Sequence, residues 1–319
     1  MKNLRHRNPS IATALLSLAL LGLLLAAPLA AATAPAPPER VAMSAGQAAI
    51  LGVVEGLTEY LPVSSTAHLL LTQRLMGLGK NGPEKDAADS YGICIQAGAI
   101  LAVLWLYFGR VKSVFAGLFG RDPEGLHLLV NLLAAFVPAA VIGLLFEKSI
   151  KHYLFGMGPI LIAWLAGGVA ILLVTWLKKN GSRRLRNGLD ELVWQQALII
   201  GFAQCLAMWP GVSRSLITIV GGLLVGLSLP AAAVEFSFLL GLMTLGAATS
   251  YETLKDGHHI IAIYGWLNPL LGFVTSFVAG VAAVKWMVNY LNRHGLALFG
   301  YYRVALALVV GALYFQGLI

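Results

Sequence analysis

Ten apolar runs separated by short polar stretches make up most of the sequence after residue 45. Six of them reach the ~20 residues that a helix needs to cross a bilayer; they cover 88–108, 126–146, 157–177, 231–250, 263–288 and 300–318. The other four are shorter and form two pairs split by proline and polar residues, 46–61 with 66–78 and 192–209 with 214–229. The pattern predicts an all-α polytopic membrane protein with six transmembrane helices and two re-entrant helix-loop-helix hairpins. The alternative, two full spans in place of each hairpin, is disfavoured by the short runs.

The composition of the chain supports the membrane class. Hydrophobic residues make up 58% of the sequence and charged residues 11%, whereas a soluble domain carries about 25% charged residues. The formal net charge is +8, but the cations lie in short loops between apolar runs, where they orient a membrane protein. No aromatic residues alternate with them, so nucleic acid is not an expected partner.

The first 45 residues form a separate segment. Lys2, Arg5 and Arg7 precede an apolar stretch at 11–29, which a stretch rich in alanine and proline follows. This order is typical of a signal peptide and equally of an uncleaved N-terminal anchor.

The two split pairs resemble each other. Residues 50–66 align with 199–215 at a constant offset of 149 residues. The matched positions are Gly52 with Gly201, Glu55 with Gln204, Leu57 with Leu206, Tyr60 with Trp209, Val63 with Val212, and Ser64 with Ser213. The match predicts an internal duplication, with a first repeat at 46–177, a basic cytoplasmic loop at 178–191 and a second repeat at 192–319.

Loop charges predict that the second repeat is inverted. The loop at 178–191 carries five basic residues, which places it in the cytoplasm. Three spans then separate the first hairpin, entering from the outer face, from the second, entering from the cytoplasm. Inverted repeats of this kind bring two broken hairpins together near the membrane midplane, where irregular backbone must be buried in protein or line a polar cavity.

The first hairpin carries two acidic residues and a hydroxyl cluster. Glu55 and Glu59 are four residues apart, on one face of a helix, and Pro62 ends that helix. Two like charges at membrane depth are costly, so they indicate a cation, a proton or a watery cavity.

After Pro62, three hydroxyl residues stand where the next helix begins, and His68 follows three residues after Ser65. Ser64, Ser65 and Thr66 are candidate helix caps and candidate ligands or nucleophiles. His68 is either an interior histidine or a reactive one.

The second hairpin has the features of an anion site. Gly211 allows an unusual backbone conformation, Ser213 can cap the following helix, and the free N–H groups of that helix start favour an anion. Arg214 adds a forked donor suited to phosphate, and Thr218 places a hydroxyl one turn later. Alternatively, Arg214 pairs with Glu55 or Glu59 as a structural contact.

At these residues the sequence resembles the undecaprenyl-diphosphate phosphatase family of the bacitracin-resistance type. The first family motif, two glutamates followed by P-V-S-S-T and a histidine, corresponds to Glu55–His68, and the second, P-G-x-S-R-S-x-x-T, to Pro210–Thr218. The resemblance extends from about residue 46 to the end.

The resemblance implies hydrolysis of undecaprenyl diphosphate to undecaprenyl phosphate and inorganic phosphate, at the outer side of the bacterial inner membrane, with the active site open to the periplasm. It implies Mg2+ or Ca2+ as cofactor, with Glu55 and Glu59 as metal ligands. The implied catalytic residues are Ser65, His68, Glu59 and Arg214, with Ser65 the favoured nucleophile and His68 its competitor. The implied phosphate-binding residues are Ser64, Thr66, Ser213, Arg214, Ser215 and Thr218.

The main rival function is transport, because paired re-entrant hairpins are frequent in transporters. The same site could bind a polyprenyl phosphate lipid and flip it. Besides the lipid substrate and the membrane lipids, a homodimer is a possible partner arrangement.

Overall fold

The computed structural model describes residues 43–79, 82–180, 188–229 and 231–318. Most of the proposed N-terminal segment, and the middle of the basic loop at 178–191, therefore lie outside the described residues. The described chain is helical. Its helices are α1 (Ala45–Thr58), α2 (Ser65–Leu75), α3 (Gly82–Leu106), α4 (Phe108–Leu118), α5 (Pro123–Leu154), α6 (Met157–Asn180), α7 (Trp194–Gln204), α8 (Arg214–Leu224), α9 (Ala233–Tyr264), α10 (Leu267–His294) and α11 (Ala297–Phe315).

Six helices of the described chain are long and apolar enough to cross a membrane, which confirms the predicted number. Their apolar segments are Ala87–Leu106, Pro123–Phe146, Met157–Leu177, Ala233–Lys255, Leu267–His294 and Ala297–Phe315. The helices α5 and α9 continue past these segments to 32 residues each, because helical hydrogen bonding persists where the apolar run has already ended.

Helix α4 was missed by the sequence analysis, which treated its residues as part of a loop. Val111, Phe115 and Leu118 recur at helical spacing among basic residues, and Phe115 and Leu118 are exposed. This spacing is typical of an amphipathic helix. It was too short to register as an apolar run.

The start of α5 shows how local sequence sets a helix boundary. The Asp122 carboxylate accepts a hydrogen bond from the Gly125 N–H at 3.0 Å. Pro123 occupies the first turn, where a backbone N–H would have no partner within the helix, so its absence costs nothing. The hydrogen bond from the Ser113 hydroxyl, 2.6 Å from the carboxylate, lowers the pKa of Asp122 together with the Gly125 N–H.

The helices α1 and α7 each pack against a long helix of the opposite half of the chain. Helix α1 lies on α10 and helix α7 on α5. A Cβ at Gly52 would collide with the Gly272 carbonyl of α10, and one at Gly201 would collide with the Ala135 backbone of α5. Glycine at these matched positions therefore permits close backbone contact.

The remaining long helices pair with their counterparts, α3 with α9 and α6 with α11. The short helices form two pairs, α1 with α2 and α7 with α8. In each pair, a glutamine of the first helix forms a hydrogen bond with a carbonyl at the end of the second, a contact called the glutamine clamp below. Gln47 reaches from α1 to the Met76 carbonyl at 3.4 Å, and Gln196 reaches from α7 to the Val225 carbonyl at 3.0 Å. Both glutamines and both carbonyls are 149 residues apart, like the matched positions of the sequence.

Candidate active site

A strained serine precedes the second helix of each short pair. Ser64 has φ +74° and Ser213 has φ +76°, and among the described residues no other non-glycine residue has a positive φ. Such a conformation is costly and persists only where the surroundings hold it. Because of this turn, Ser65 and Arg214 become the first residues of α2 and α8.

The turn that contains Ser64 and the turn that contains Ser213 are in direct contact, although they lie about 150 residues apart in the sequence. The Ser64 hydroxyl accepts a hydrogen bond from the Gly211 N–H at 3.1 Å. The Ser215 hydroxyl donates to the Leu61 carbonyl at 2.8 Å. The predicted convergence of the two polar motifs is therefore confirmed in the described chain.

Glu59, Ser65 and Arg214 form the centre of this contact. The Ser65 hydroxyl donates a hydrogen bond to Glu59 Oε2. Arg214 Nη2 lies 3.4 Å from Glu59 Oε1. Glu59 and Ser65 are buried, and the Arg214 side chain is 9% exposed. A serine hydroxyl that donates a hydrogen bond to a carboxylate, beside a fixed positive charge, has the partners that can activate it as a nucleophile.

Further contacts fix the orientation of the Arg214 guanidinium. Nη1 donates to the Ser237 carbonyl of α9 at 2.9 Å, and the guanidinium carbon lies 5.2 Å from the centre of the Tyr60 ring. The Thr218 hydroxyl contacts the Ser237 hydroxyl at 2.6 Å, so that Thr218 and Arg214 share one neighbour. The ion pair between Arg214 and Glu59, which the sequence analysis considered as an alternative, is present in the structure.

Gln96 of α3 is a member of the cluster that the sequence analysis missed. Its amide nitrogen donates to Glu59 Oε2 at 3.3 Å, and its amide oxygen accepts from the Thr249 hydroxyl of α9 at 3.0 Å. The second bond fixes which end of the amide faces Glu59. The only signal in the sequence was a lone amide inside an apolar span.

Glu55 is the most deeply buried acidic residue of the site. It is 1% exposed, and neither carboxylate oxygen has a hydrogen-bond partner among the described residues. Gln204, which matches Glu55 at the offset of 149 residues, is also buried with its amide unpartnered in the described chain. A buried carboxylate without a partner is costly, so Glu55 fits a position beside a cation.

The structure separates His68 and Thr66 from the central cluster. His68 Nδ1 lies 2.7 Å from the Ser64 carbonyl oxygen, its Nε2 lies 2.8 Å from the Tyr302 hydroxyl, and its ring packs edge-on against Trp164. Thr66 is exposed. Both residues flank Ser65 in sequence, but neither has a hydrogen bond to Glu59 or Arg214 among those recorded for the described residues.

The other three predicted phosphate ligands are buried and already hydrogen-bonded. The Ser213 hydroxyl accepts from the Leu216 N–H at 3.3 Å, which confirms it as a cap of α8. It also lies 3.1 Å from the Ser215 hydroxyl. The Thr218 hydroxyl donates to the Arg214 carbonyl at 2.9 Å. To bind a phosphate oxygen, each of these hydroxyls would have to give up one of the hydrogen bonds described here.

Arg303 of α11 joins the two turns and was also missed from the sequence. It is fully buried. Its guanidinium donates to the carbonyls of Gly211 at 2.6 Å, Ala163 at 2.9 Å and Pro62 at 3.4 Å. Pro62 and Gly211 belong to the two different turns. The sequence did contain a signal for Arg303, because a charged residue within an apolar span is costly and indicates a polar partner inside the protein.

The chain is similar to known proteins over most of its length. The sequence profile of the family described as bacitracin resistance protein BacA matches residues 48–309. An undecaprenyl-diphosphatase of Sorangium cellulosum is 45% identical over 264 residues, 82% of this chain and 84% of the relative. Undecaprenyl-diphosphatase 2 of Rhodospirillum rubrum is 44% identical, and the undecaprenyl-diphosphatase of Nitrosomonas europaea is 41% identical; each alignment covers 86% of this chain and 96% of the relative. The chain therefore belongs to the BacA family of bacitracin resistance proteins.

Proposed function

We propose that this chain hydrolyses undecaprenyl diphosphate to undecaprenyl phosphate and inorganic phosphate. The observation that carries the proposal is the buried contact of Ser65, Glu59 and Arg214, in which a hydroxyl, a proton acceptor and a fixed cation meet. Its context is a family whose relatives named above are undecaprenyl-diphosphatases.

In the proposed reaction, the Ser65 oxygen attacks the terminal phosphorus while Glu59 takes the hydroxyl proton. The bond from that phosphorus to the bridging oxygen breaks, and undecaprenyl phosphate leaves. Water then attacks the phosphoserine, the Ser65 oxygen leaves with a proton, and inorganic phosphate is released. Arg214 stabilises the charge on the phosphoryl oxygens in both steps.

The remaining predicted site residues keep supporting roles in this proposal. Ser64, Ser213, Ser215 and Thr218 bind phosphate oxygens; for Thr66, which is exposed outside the central cluster, phosphate binding stays a prediction. His68 is the competing nucleophile or acid-base group. Since both of its ring nitrogens face other partners, it would have to leave the Ser64 carbonyl or the Tyr302 hydroxyl to act.

A Mg2+ or Ca2+ ion fits the carboxylates of the site. No group of three or more His, Cys, Asp or Glu side chains in the described residues converges as a metal site, so substrate oxygens would have to complete the coordination. Mg2+ is commonly held in this way, by one or two carboxylates and substrate phosphates. Glu55 would bind the ion with carboxylate oxygens that have no other partner. Glu59 would have to give up one of its hydrogen bonds to bind the same ion. The bound ion would neutralise charge on the diphosphate.

The two short helix pairs are proposed as re-entrant hairpins of an inverted repeat, with the division 46–177, 178–191 and 192–319. This arrangement is supported by the matched glutamine clamps and the matched serines with positive φ. It is also supported by the packing of α1 and α7, each of which lies on a long helix of the other half of the chain. The proposed location is the bacterial inner membrane, with the site open to the periplasm. A homodimer stays a prediction.

Transport of a polyprenyl phosphate lipid is the less favoured function. A carrier needs groups that bind phosphate, but it does not need a hydroxyl whose proton is already directed at a carboxylate. The hydrogen bond from Ser65 to Glu59 therefore favours hydrolysis.

Phosphate release from undecaprenyl diphosphate tests the proposal with purified protein. Ser65→Ala and Glu59→Gln should lower the rate by roughly 10²-fold or more, the range of lost acid-base groups. Thr175→Ala is the control, since the Thr175 hydroxyl donates to the Ile171 carbonyl of its own helix, away from the site. Full turnover by both site variants would refute the assignment.

Trapping the phosphorylated protein separates the two candidate nucleophiles. Phosphoserine survives acid, whereas phosphohistidine is hydrolysed by it, so an acid-stable label on Ser65 is expected. An acid-labile label would assign the attack to His68. Excess chelator should abolish turnover and added Mg2+ or Ca2+ should restore it; undiminished turnover in chelator would remove the metal from the proposal.

A further inference from the structure

The Tyr60 hydroxyl is a buried polar group beside the site that the proposed reaction does not use. Tyr60 follows Glu59 in the turn after α1 and is fully buried. Its hydroxyl has no hydrogen-bond partner among the described residues. A buried tyrosine hydroxyl usually has a partner, and a buried polar group without one is costly. Phenylalanine would fill the same space without this cost, so the presence of the hydroxyl calls for an explanation.

Neighbouring side chains fix the ring of Tyr60 and with it the position of the hydroxyl. The Arg214 guanidinium carbon lies 5.2 Å from the centre of the ring, within the range of a cation–π contact. The Phe238 ring of α9 packs edge-on against the same ring, with the centres 5.2 Å apart and an angle of 85° between the planes. The charged groups whose fields act on the hydroxyl are those of Arg214, Glu59 and Glu55. The hydroxyl therefore lies beside the charged centre of the site.

The second short pair has a satisfied aromatic side chain at the matched position. Trp209 matches Tyr60 at the offset of 149 residues. Trp209 Nε1 donates to the Pro159 carbonyl at 3.1 Å, whereas the Tyr60 hydroxyl has no acceptor in the described part of the chain. The fold can thus provide a partner for an aromatic polar atom at this position, and it does so only in the pair without the buried carboxylates.

A second unpartnered donor belongs to the guanidinium that contacts the Tyr60 ring. Arg214 Nη1 donates to the Ser237 carbonyl and Nη2 to Glu59. Arg214 Nε is buried and has no acceptor among the described residues. Two unpartnered donors on side chains in direct contact favour an anionic acceptor, because an anion strengthens each hydrogen bond that it accepts.

We propose that the Tyr60 hydroxyl donates a hydrogen bond to a phosphoryl oxygen of the diphosphate that Arg214 binds. The inference rests on the proposed function, which brings a diphosphate between Arg214 and Ser65. The hydrogen bond forms only in the complex with the substrate. The hydroxyl is therefore costly to the free protein and contributes to the complex, as is common for groups at functional sites.

Removal of the hydroxyl alone should lower activity without lowering stability. Tyr60→Phe keeps the ring and its contacts with Arg214 and Phe238. We expect kcat/KM for undecaprenyl diphosphate to fall by roughly tenfold or more, as for a lost hydrogen bond to a charged group. The melting temperature in detergent, without substrate, should equal that of the wild type or rise, because an unsatisfied buried group is removed. An unchanged kcat/KM, or a clear fall of the melting temperature, would overturn the proposal.

Tyr107→Phe is the matched control for this measurement. The Tyr107 ring packs edge-on against the same Phe238 ring, with the centres 5.8 Å apart. The charged group that acts on its hydroxyl is Glu235, which has no part in the proposed reaction. The control should keep the kcat/KM of the wild type. Equal losses in the two variants would assign the effect to the packing around Phe238 and overturn the role of the Tyr60 hydroxyl.

A direct measurement of the contact separates failure of this inference from failure of the proposed function. Tyr60 or, in a second sample, Tyr107 is replaced by 3-fluorotyrosine, and fluorine NMR spectra are recorded with and without undecaprenyl methylenediphosphonate, whose bridge is not hydrolysed. The signal from position 60 should shift, and that from position 107 should not. An active protein without a shift at position 60 would refute the contact alone. A shift at position 60 in a protein that releases no phosphate would refute hydrolysis and support the diphosphate contact. If Tyr60→Phe does not fold, these spectra still decide.

Discussion

The two short helix pairs have the same frame but different chemistry. In both, a glutamine of the first helix clamps the end of the second, and a serine with positive φ precedes the second helix. The first residue after that serine is Ser65 in one pair and Arg214 in the other. One turn before the break, the first pair has Glu55 where the second has Gln204. The two pairs thus have equivalent backbone positions that carry different side chains.

Residues of opposite charge meet where the two pairs are in contact. The first pair carries two buried carboxylates and the second a buried guanidinium, which meet at Glu59 and Arg214. A phosphate entering between them would meet Arg214 from one side and Ser65 from the other. Each pair contributes one part of this contact, the carboxylate and the hydroxyl from the first and the guanidinium from the second.

The largest expected effect comes from the cation of the second pair. Arg214→Ala should lower phosphate release by ~10²–10³-fold, as does the loss of a group that stabilises developing charge. Arg214→Lys keeps the charge but cannot reach Glu59 and the Ser237 carbonyl with one fork, so it should recover only part of the rate. Full recovery by lysine would show that charge alone matters. Steady-state rates of both variants measure the difference.

The next effect concerns Arg303, which joins the pairs. Arg303→Met leaves three buried carbonyls without this donor, at ~1–3 kcal/mol for each group left unsatisfied, so both thermal stability and activity should fall. Arg110→Met is the control, because the Arg110 side chain is 47% exposed and such ion pairs contribute ~0–1 kcal/mol. Equal melting temperatures of the two variants in detergent would argue against Arg303 as the link.

Close packing at the matched glycines should show smaller losses of similar size. Gly52→Ala and Gly201→Ala each push a methyl group into the backbone of α10 or α5, and overpacking typically costs ~1–3 kcal/mol. Gly46→Ala is the control, since its nearest neighbour is the Ser44 hydroxyl at 3.9 Å. A large loss at only one of the two glycines would show that the pairs are not packed equivalently.

The smallest effect separates the two strained serines. Ser213→Ala removes a helix cap, at ~1 kcal/mol. Ser64→Ala instead leaves the buried Gly211 N–H of the opposite pair without its acceptor, at ~1–3 kcal/mol. Ser64→Ala should therefore lower the melting temperature more, measured without substrate. The reverse order would mean that the hydroxyl contact between the pairs contributes less than the local cap.

Much of the fold could be predicted from the sequence because membrane solvent leaves few choices. Every long apolar run must satisfy its backbone internally, which makes it a helix, and the six spans were predicted in number and approximate position. The short helix α4 was missed, since an amphipathic helix of this length gives no apolar run. The ends of α5 and α9 were missed because polar residues continue a helix as readily as apolar ones do.

For the site, local spacing in the sequence indicated the two segments that hold the candidate residues: the acidic and hydroxyl cluster around Glu59 and Ser65, and the cap with Arg214. Local spacing is enough for this, because capping and helix faces depend on residues within one turn. The tertiary structure decided which of these groups touch. It joined Ser65 to Glu59, turned His68 toward Tyr302, and added Gln96 and Arg303 from distant spans. Such partners lie far apart in the chain, and only the packing of helices brings their donors to the acceptors.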